Sequence, residues 1–135
     1  MPISIMAVDD SARVLESLKW IFADEPYCIF TFDNPLEALS LIGATEFPVV
    51  VTEHSMRKMD GLEFLKKARE RSPNTVGILM SGYTEFKDAL NSLYPGCVFR
   101  FVKKPLDKNE IMQAMRMAVT QYQINRERGR QIILA

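Results

Sequence analysis

One histidine, two cysteines and no net charge are what this sequence of 135 residues has least of. A lone His54, without a second nitrogen or sulfur ligand beside it, is poor support for zinc. Cys28 and Cys97 stand far apart with no CxxC, so two reduced core thiols of a cytosolic protein are expected rather than a disulfide. The 17 Lys and Arg balance 17 Asp and Glu. That balance removes the basic excess with which a protein tracks phosphates, so no direct nucleic-acid binding is expected. It also disfavours a disordered acidic module. No apolar run approaches the ~20 residues that span a bilayer. Met1-Pro2-Ile3-Ser4 has no basic region followed by an apolar one, so no signal peptide is expected and the localisation is expected to be cytoplasmic. No glycine-rich loop follows the first apolar run, which disfavours a nucleotide cradle. Any charge that matters to function must therefore be local.

What is present is a regular alternation. Five apolar runs recur: Ile3–Val8, Cys28–Phe32, Phe47–Val51, Val76–Met80 and Val98–Val102. The first, third and fourth are nearly continuous in apolar residues, as parallel strands covered on both faces are. Between them lie segments of helical period. Val14, Leu15, Leu18, Ile21 and Phe22 form one stripe, with Ser11 as N-cap. Leu36, Leu39 and Ile42 form a second that Gly43 ends. Leu62, Leu65, Ala68 and Arg69 lie in a third that stops before Ser72-Pro73. Phe86, Ala89, Leu90 and Leu93 make a fourth, ended by Pro95-Gly96. A fifth opens on Asp107-Lys108-Asn109-Glu110, a capping box with Asp in place of Ser or Thr. Its stripe is Ile111, Met115, Ala118/Val119 and Tyr122. This alternation predicts an α/β domain: a doubly wound, flavodoxin-like parallel sheet of five strands in the order 2-1-3-4-5, with five helices. A domain over 1–124 is expected, and residues 125–135 form a helical extension, linker or tail. The methionines Met112, Met115 and Met117 read as helix and core filling.

In such a sheet, ligands bind beyond the carboxyl ends of the strands. Asp9 and Asp10 follow the first run, Thr52, Glu53 and His54 the third, Ser81 and Gly82 the fourth, and Lys103-Lys104-Pro105 the fifth. Strands 1 and 3 are neighbours in this order, so Asp9, Asp10 and Glu53 are expected to crowd one volume. Three carboxylates that close repel unless a cation or a proton intervenes. Oxygen ligation of this kind suits Mg²⁺. With Lys104 and the Ser81 hydroxyl on the same rim, the arrangement is one for holding a phosphoryl group. An Asp-Asp pair alone would be explained by helix capping.

With these residues in place, the chain over about 3–122 resembles the receiver domain of bacterial two-component response regulators, including the single-domain chemotaxis regulator. The resemblance rests on Asp9-Asp10, on Met56-x-x-Met59-Asp60-Gly61-Leu62-Glu63-Phe64-Leu65, on Ser81-Gly82 and on Lys104-Pro105. It implies a signalling module, not an enzyme, which receives a phosphoryl group from a phosphohistidine on a sensor kinase. It further implies that Asp9, Asp10, the phosphoacceptor position and the Ser55 carbonyl hold Mg²⁺. Ser81 would be the switch hydroxyl, Lys104 the partner of the phosphoryl charge, and Phe101 the switch aromatic.

One position departs from that pattern: the phosphoacceptor aspartate is Glu53. The extra methylene moves the carboxylate by roughly 1–1.5 Å if the side chain extends. Misplacement of about 1 Å can cost about 10²-fold in rate. Glu53 is therefore expected to be an inefficient acceptor, and Mg²⁺ binding to be weakened. Three readings stay open. Glu53 reaches Lys104 or Ser81 and imitates the phosphorylated state; or the domain docks partners regardless of phosphate; or Glu53 is phosphorylated slowly. Arg57 stands where the resemblance leads one to expect proline. Arg57 and Lys58 are either solvated loop residues, an offset to the acidic cluster, or residues that read a partner. An enzyme of another class, a Mg²⁺-dependent phosphatase using Asp9, is disfavoured because Asp-x-Asp is absent after the first run. The expected partners are a sensor histidine kinase or other signalling protein, and an output domain beyond residue 135. The segment from Ser81 to Leu93 is similar to receivers that precede cyclic-dinucleotide phosphodiesterase or cyclase domains. A homodimer through the fourth helical segment, the fifth strand and the fifth helical segment is a further expectation, with Lys87, Asp88, Arg100 and Arg116 on its surface.

Overall fold

The computed structural model describes residues 2–82 and 96–134, with side chains as far as residue 130. Five strands, β1 (Ile3–Val8), β2 (Tyr27–Phe32), β3 (Val49–Glu53), β4 (Val76–Ser81) and β5 (Arg100–Lys103), form one parallel sheet in the order β2-β1-β3-β4-β5. Among the described residues there are four helices: α1 (Ala12–Ile21), α2 (Pro35–Leu41), α3 (Gly61–Arg71) and α4 (Lys108–Leu134). The expected helix around Phe86–Leu93, with Tyr83, Lys87 and Asp88, lies outside the described residues.

Period-2 alternation divides each central strand between two cores. Ile5 and Ala7 of β1, Val49 and Val51 of β3, and Ile78 and Met80 of β4 pack on one face under α1 and α4. Met6, Val8, Val50 and Leu79 pack on the other, under α2 and α3. β1, β3 and β4 are therefore covered on both sides, which is why their sequences read as continuous apolar runs. β2 is an edge strand, and its residues alternate between half-buried and exposed over its first four positions.

Local chemistry sets the helix ends. Ser11 Oγ accepts from the Val14 N–H at 3.3 Å, Asn34 Oδ1 from Leu36 at 3.0 Å and Asp60 Oδ1 from Glu63 at 2.9 Å. Asp107 Oδ1 accepts from the Glu110 N–H at 3.1 Å, as the expected cap requires. α2 ends just before Gly43, whose φ of 103° lies in the left-handed region that a Cβ disfavours.

Two expectations are corrected. Leu36 is not part of a buried stripe: it is 50% exposed, and Ala38, Leu39 and Ile42 supply the contact instead. Leu36 is the second residue after the Asn34 cap, and in this first turn its side chain lies on the solvent side of the helix. Cys28 is not a core thiol either, because it points outward on β2, while Cys97 is half-buried and both are free. α4 continues for 27 residues, about 40 Å, well beyond Tyr122, the last buried residue among those whose side chains are described. No helix among the described residues is long and apolar enough to cross a membrane.

Candidate functional site at the carboxyl edge of the sheet

The parallel register brings the strand ends together. Val8 pairs with Thr52, Glu53 with Met80, and Ser81 with Lys103. The residues just past β1 and β5 and the last residue of β3 consequently meet at one edge. Asp9 is buried, at 2% exposure. Its Oδ1 accepts from the Ser11 N–H at 2.8 Å, holding the turn into α1. Its Oδ2 accepts from Lys104 Nζ at 2.8 Å. Lys104 Nζ also donates to Glu53 Oε1 at 3.1 Å. The second Glu53 oxygen, Oε2, accepts at 2.8 Å from the His54 N–H. That N–H is shared with the Met80 carbonyl at 2.9 Å.

Lys104 is thus the cation between two carboxylates. Burial by itself would lower the pKa of its ammonium. The hydrogen bond and charge of Asp9, with the charge and hydrogen bond of Glu53, outweigh burial and hold it above the ordinary lysine value. Lys104 is placed by the chain as well: its N–H donates to the Ser81 carbonyl at 3.0 Å, just beyond the β4–β5 pairing. Ser81 is buried at the end of β4. Phe101 lies half-buried on β5 against the α2/α3 core.

Asp10 has different partners. Its Oδ2 accepts from the Arg57 main-chain N–H at 3.1 Å, and the Arg57 Nε lies 3.5 Å from the same oxygen. The expected crowding of three acids is therefore corrected: two converge on Lys104 and the third is held by the β3–α3 loop. Among the described residues no three His, Cys, Asp or Glu side chains are gathered to hold a metal ion. The resemblance to receiver domains implies Mg²⁺ at this place. Here the donors of Asp9 and Glu53 already face an ammonium and main-chain N–H groups, and an oxygen of Asp10 faces Arg57. In this arrangement the side chains do not fit a divalent cation. Ser55 lies exposed in the same loop.

Gly61 closes that loop. Its N–H donates to the His54 carbonyl at 2.7 Å, so α3 starts directly against the end of β3. A Cβ at position 61 would lie 2.2 Å from the Glu53 carbonyl oxygen and 2.8 Å from Leu79 Cδ1. Only glycine permits this approach, and it fixes the backbone that carries Glu53. This contact is the reason for glycine within the Met59-Asp60-Gly61-Leu62 stretch. The Arg57–Asp10 contact is not legible in the sequence, since an arginine in a loop carries no signal of its partner.

The chain is similar over this whole framework to known proteins. It is 29% identical over 116 residues to the hydrogenase transcriptional regulatory protein HoxA of Cupriavidus necator, covering 86% of this chain and 24% of that protein. The curated relatives it matches are about three and a half times as long, with 24–27% of their length covered. Among solved structures, the signal receiver domain of an HD domain-containing protein from Pseudomonas fluorescens Pf-5 superposes with a TM-score of 0.85 at 27% identity, covering 94% and 93% of the two chains. A structure described as adenylate cyclase from Rhodopirellula baltica gives 0.89 at 28% identity, with full coverage of both. The family model for the response regulator receiver domain matches residues 5–116, and with the 2-1-3-4-5 sheet and its carboxyl-edge acids this chain belongs to that family.

Proposed function

We propose that this receiver domain transmits signal through a charge arrangement that does not require phosphate. One observation carries the reading: both oxygens of Glu53, at the phosphoacceptor position, already have partners, Lys104 Nζ at 3.1 Å and the His54 N–H at 2.8 Å. Transfer from a phosphohistidine breaks a P–N bond and forms a P–O bond to a carboxylate lone pair placed in line. For Glu53 to offer one, it must give up a charge-assisted contact, and its extra methylene displaces the attacking atom. The Glu53–Lys104 contact also puts a negative charge where Lys104 would otherwise meet a phosphoryl oxygen. We therefore read Glu53 as an inefficient acceptor that imitates part of the phosphorylated state, with Ser81 and Phe101 as the elements that carry the bias to the surface.

Receiver domains interact with histidine kinases and often carry output domains, and HoxA is a regulator far longer than this chain. The reading here is a cytoplasmic module over 1–124, with residues 125–135 leading to an output domain, or a homodimer formed through the fourth helical segment, β5 and α4. Similarity to a receiver of an HD domain-containing protein and to an adenylate cyclase structure favours cyclic-nucleotide or cyclic-dinucleotide turnover as the output. The Mg²⁺ site formed by Asp9, Asp10, Glu53 and the Ser55 carbonyl is weakened in this reading.

The test is incubation with acetyl phosphate and Mg²⁺, followed by intact mass, for wild type and Glu53→Asp. The expected result is little or no adduct on wild type and faster labelling of Glu53→Asp, by about 10²-fold. Rapid, complete labelling of wild type at Glu53 would overturn the proposal.

A further inference from the structure

We infer that Arg57 serves as the resident counter-ion of Asp10, so that with Lys104 each of the three acids has a cationic partner among the pocket's own side chains and the pocket has no divalent-cation requirement. The inference rests on the reading of Glu53 as a residue held by Lys104, and extends it to the one acid Lys104 does not reach.

Two separate donors of Arg57 converge on one oxygen. The main-chain N–H lies 3.1 Å from Asp10 Oδ2 and the guanidinium Nε 3.5 Å from it. They span 47 residues of sequence, so the contact joins the β1–α1 and β3–α3 loops. Asp10 opens onto a recess lined by Asp33, Asn34, Arg57 and Lys58. A divalent cation that takes Asp10 Oδ2 must displace both donors, and at either oxygen it sits close to a guanidinium. Each positive neighbour raises the free energy of a 2+ ion there. The side chain of Arg57 is 86% exposed, so its ion pair alone is weak. The main-chain bond adds to it and survives any substitution except proline, which has no N–H. Together the two donors make the oxygen unavailable more effectively than either alone.

The two contributions separate by substitution. In a Glu53→Asp background, Arg57→Ala removes the guanidinium and keeps the N–H, while Arg57→Pro removes both. The measurement is the unfolding midpoint against Mg²⁺ concentration up to about 10 mM, at ionic strength matched with NaCl, since a ligand of the folded state raises stability as RT ln(1 + [L]/Kd). Wild type is expected to show no shift beyond the NaCl control. Glu53→Asp with Arg57→Ala should bind Mg²⁺ about twofold to fivefold more tightly than Glu53→Asp alone, and with Arg57→Pro about tenfold. If the proline variant fails to fold, the alanine variant still decides. A saturable Mg²⁺ shift in wild type overturns the inference, and so does an unchanged Mg²⁺ response on removing Arg57, whether Glu53→Asp binds the ion or not. Failure here is distinct from failure of the Glu53 reading, which is read by phosphoryl mass on the same proteins. Wild type that labels while showing no Mg²⁺ shift would refute only the latter.

Discussion

Replacing Lys104 by methionine removes the ammonium and keeps most of the side-chain volume. Asp9 Oδ2 and Glu53 Oε1, at 2.8 Å and 3.1 Å from Nζ, then face each other no more than about 6 Å apart, where two unit charges repel by about 3 kcal/mol at an effective dielectric of ~20. The carboxylates are shielded from water, with side-chain exposures of 3% for Asp9 and 14% for Glu53. Removing one member of a buried ion pair costs about 3–5 kcal/mol, and partial solvation of Lys104 places this case at the lower end. A loss of about 3 kcal/mol at pH 7, or ~10 °C in Tm for a domain of this size, is expected. The assay is urea unfolding of wild type, Lys104→Met and Lys104→Met/Asp9→Asn at pH 7. Asp9→Asn removes one of the two facing charges and should rescue the variant. A cost below ~1 kcal/mol, or one that Asp9→Asn does not reduce, would refute the view that Lys104 balances two desolvated acids.

Two further outcomes follow from the same structure. Gly61→Ala places a Cβ 2.2 Å from the Glu53 carbonyl, so the β3–α3 turn must open; a loss of about 3 kcal/mol in urea unfolding is expected, and a neutral effect would show that the loop is not closed on β3. Tyr122 OH donates to Glu46 Oε2, and burial, then the hydrogen bond and charge of Glu46, push its pKa up to about 12 against the opposing charge of Arg126. A raised folded-state value means that the folded chain keeps a proton the unfolded chain loses, so this contribution is intact below about pH 10 and is lost as pH rises towards about 12. Tyr122→Phe should flatten the fall in stability across that window, as followed by denaturant midpoints; an unchanged alkaline slope would show that Tyr122 does not cause it.

The strand–helix alternation and the placement of Asp9, Glu53, Ser81 and Lys104 at strand ends were legible from periodicity and from the residues that follow each apolar run, while the strand order came from the doubly wound fold pattern. Burial on both faces writes itself into β1, β3 and β4 as unbroken apolar runs, and caps such as Ser11 and Asp107 are local in sequence. The partners of charged side chains were not legible. Asp9, Asp10 and Glu53 look equivalent as three acids near one edge. Lys104 lies 95 residues from Asp9 and 51 from Glu53, and which acids it reaches depends on the register of β1, β3 and β5. The exposures of Leu36 and Cys28 were misread for a related reason: a short helix and an edge strand bury only one narrow stripe, and its direction is set by packing.

By itself, the sequence determined a doubly wound sheet with Asp9, Asp10 and Glu53 at the ends of its strands, because periodicity and residue identity are local properties. Only the tertiary structure decided that Lys104 divides its charge between Asp9 and Glu53 while Arg57 takes Asp10. Electrostatic pairing depends on distances of a few ångströms across the sheet, and those exist only once the strands are in register.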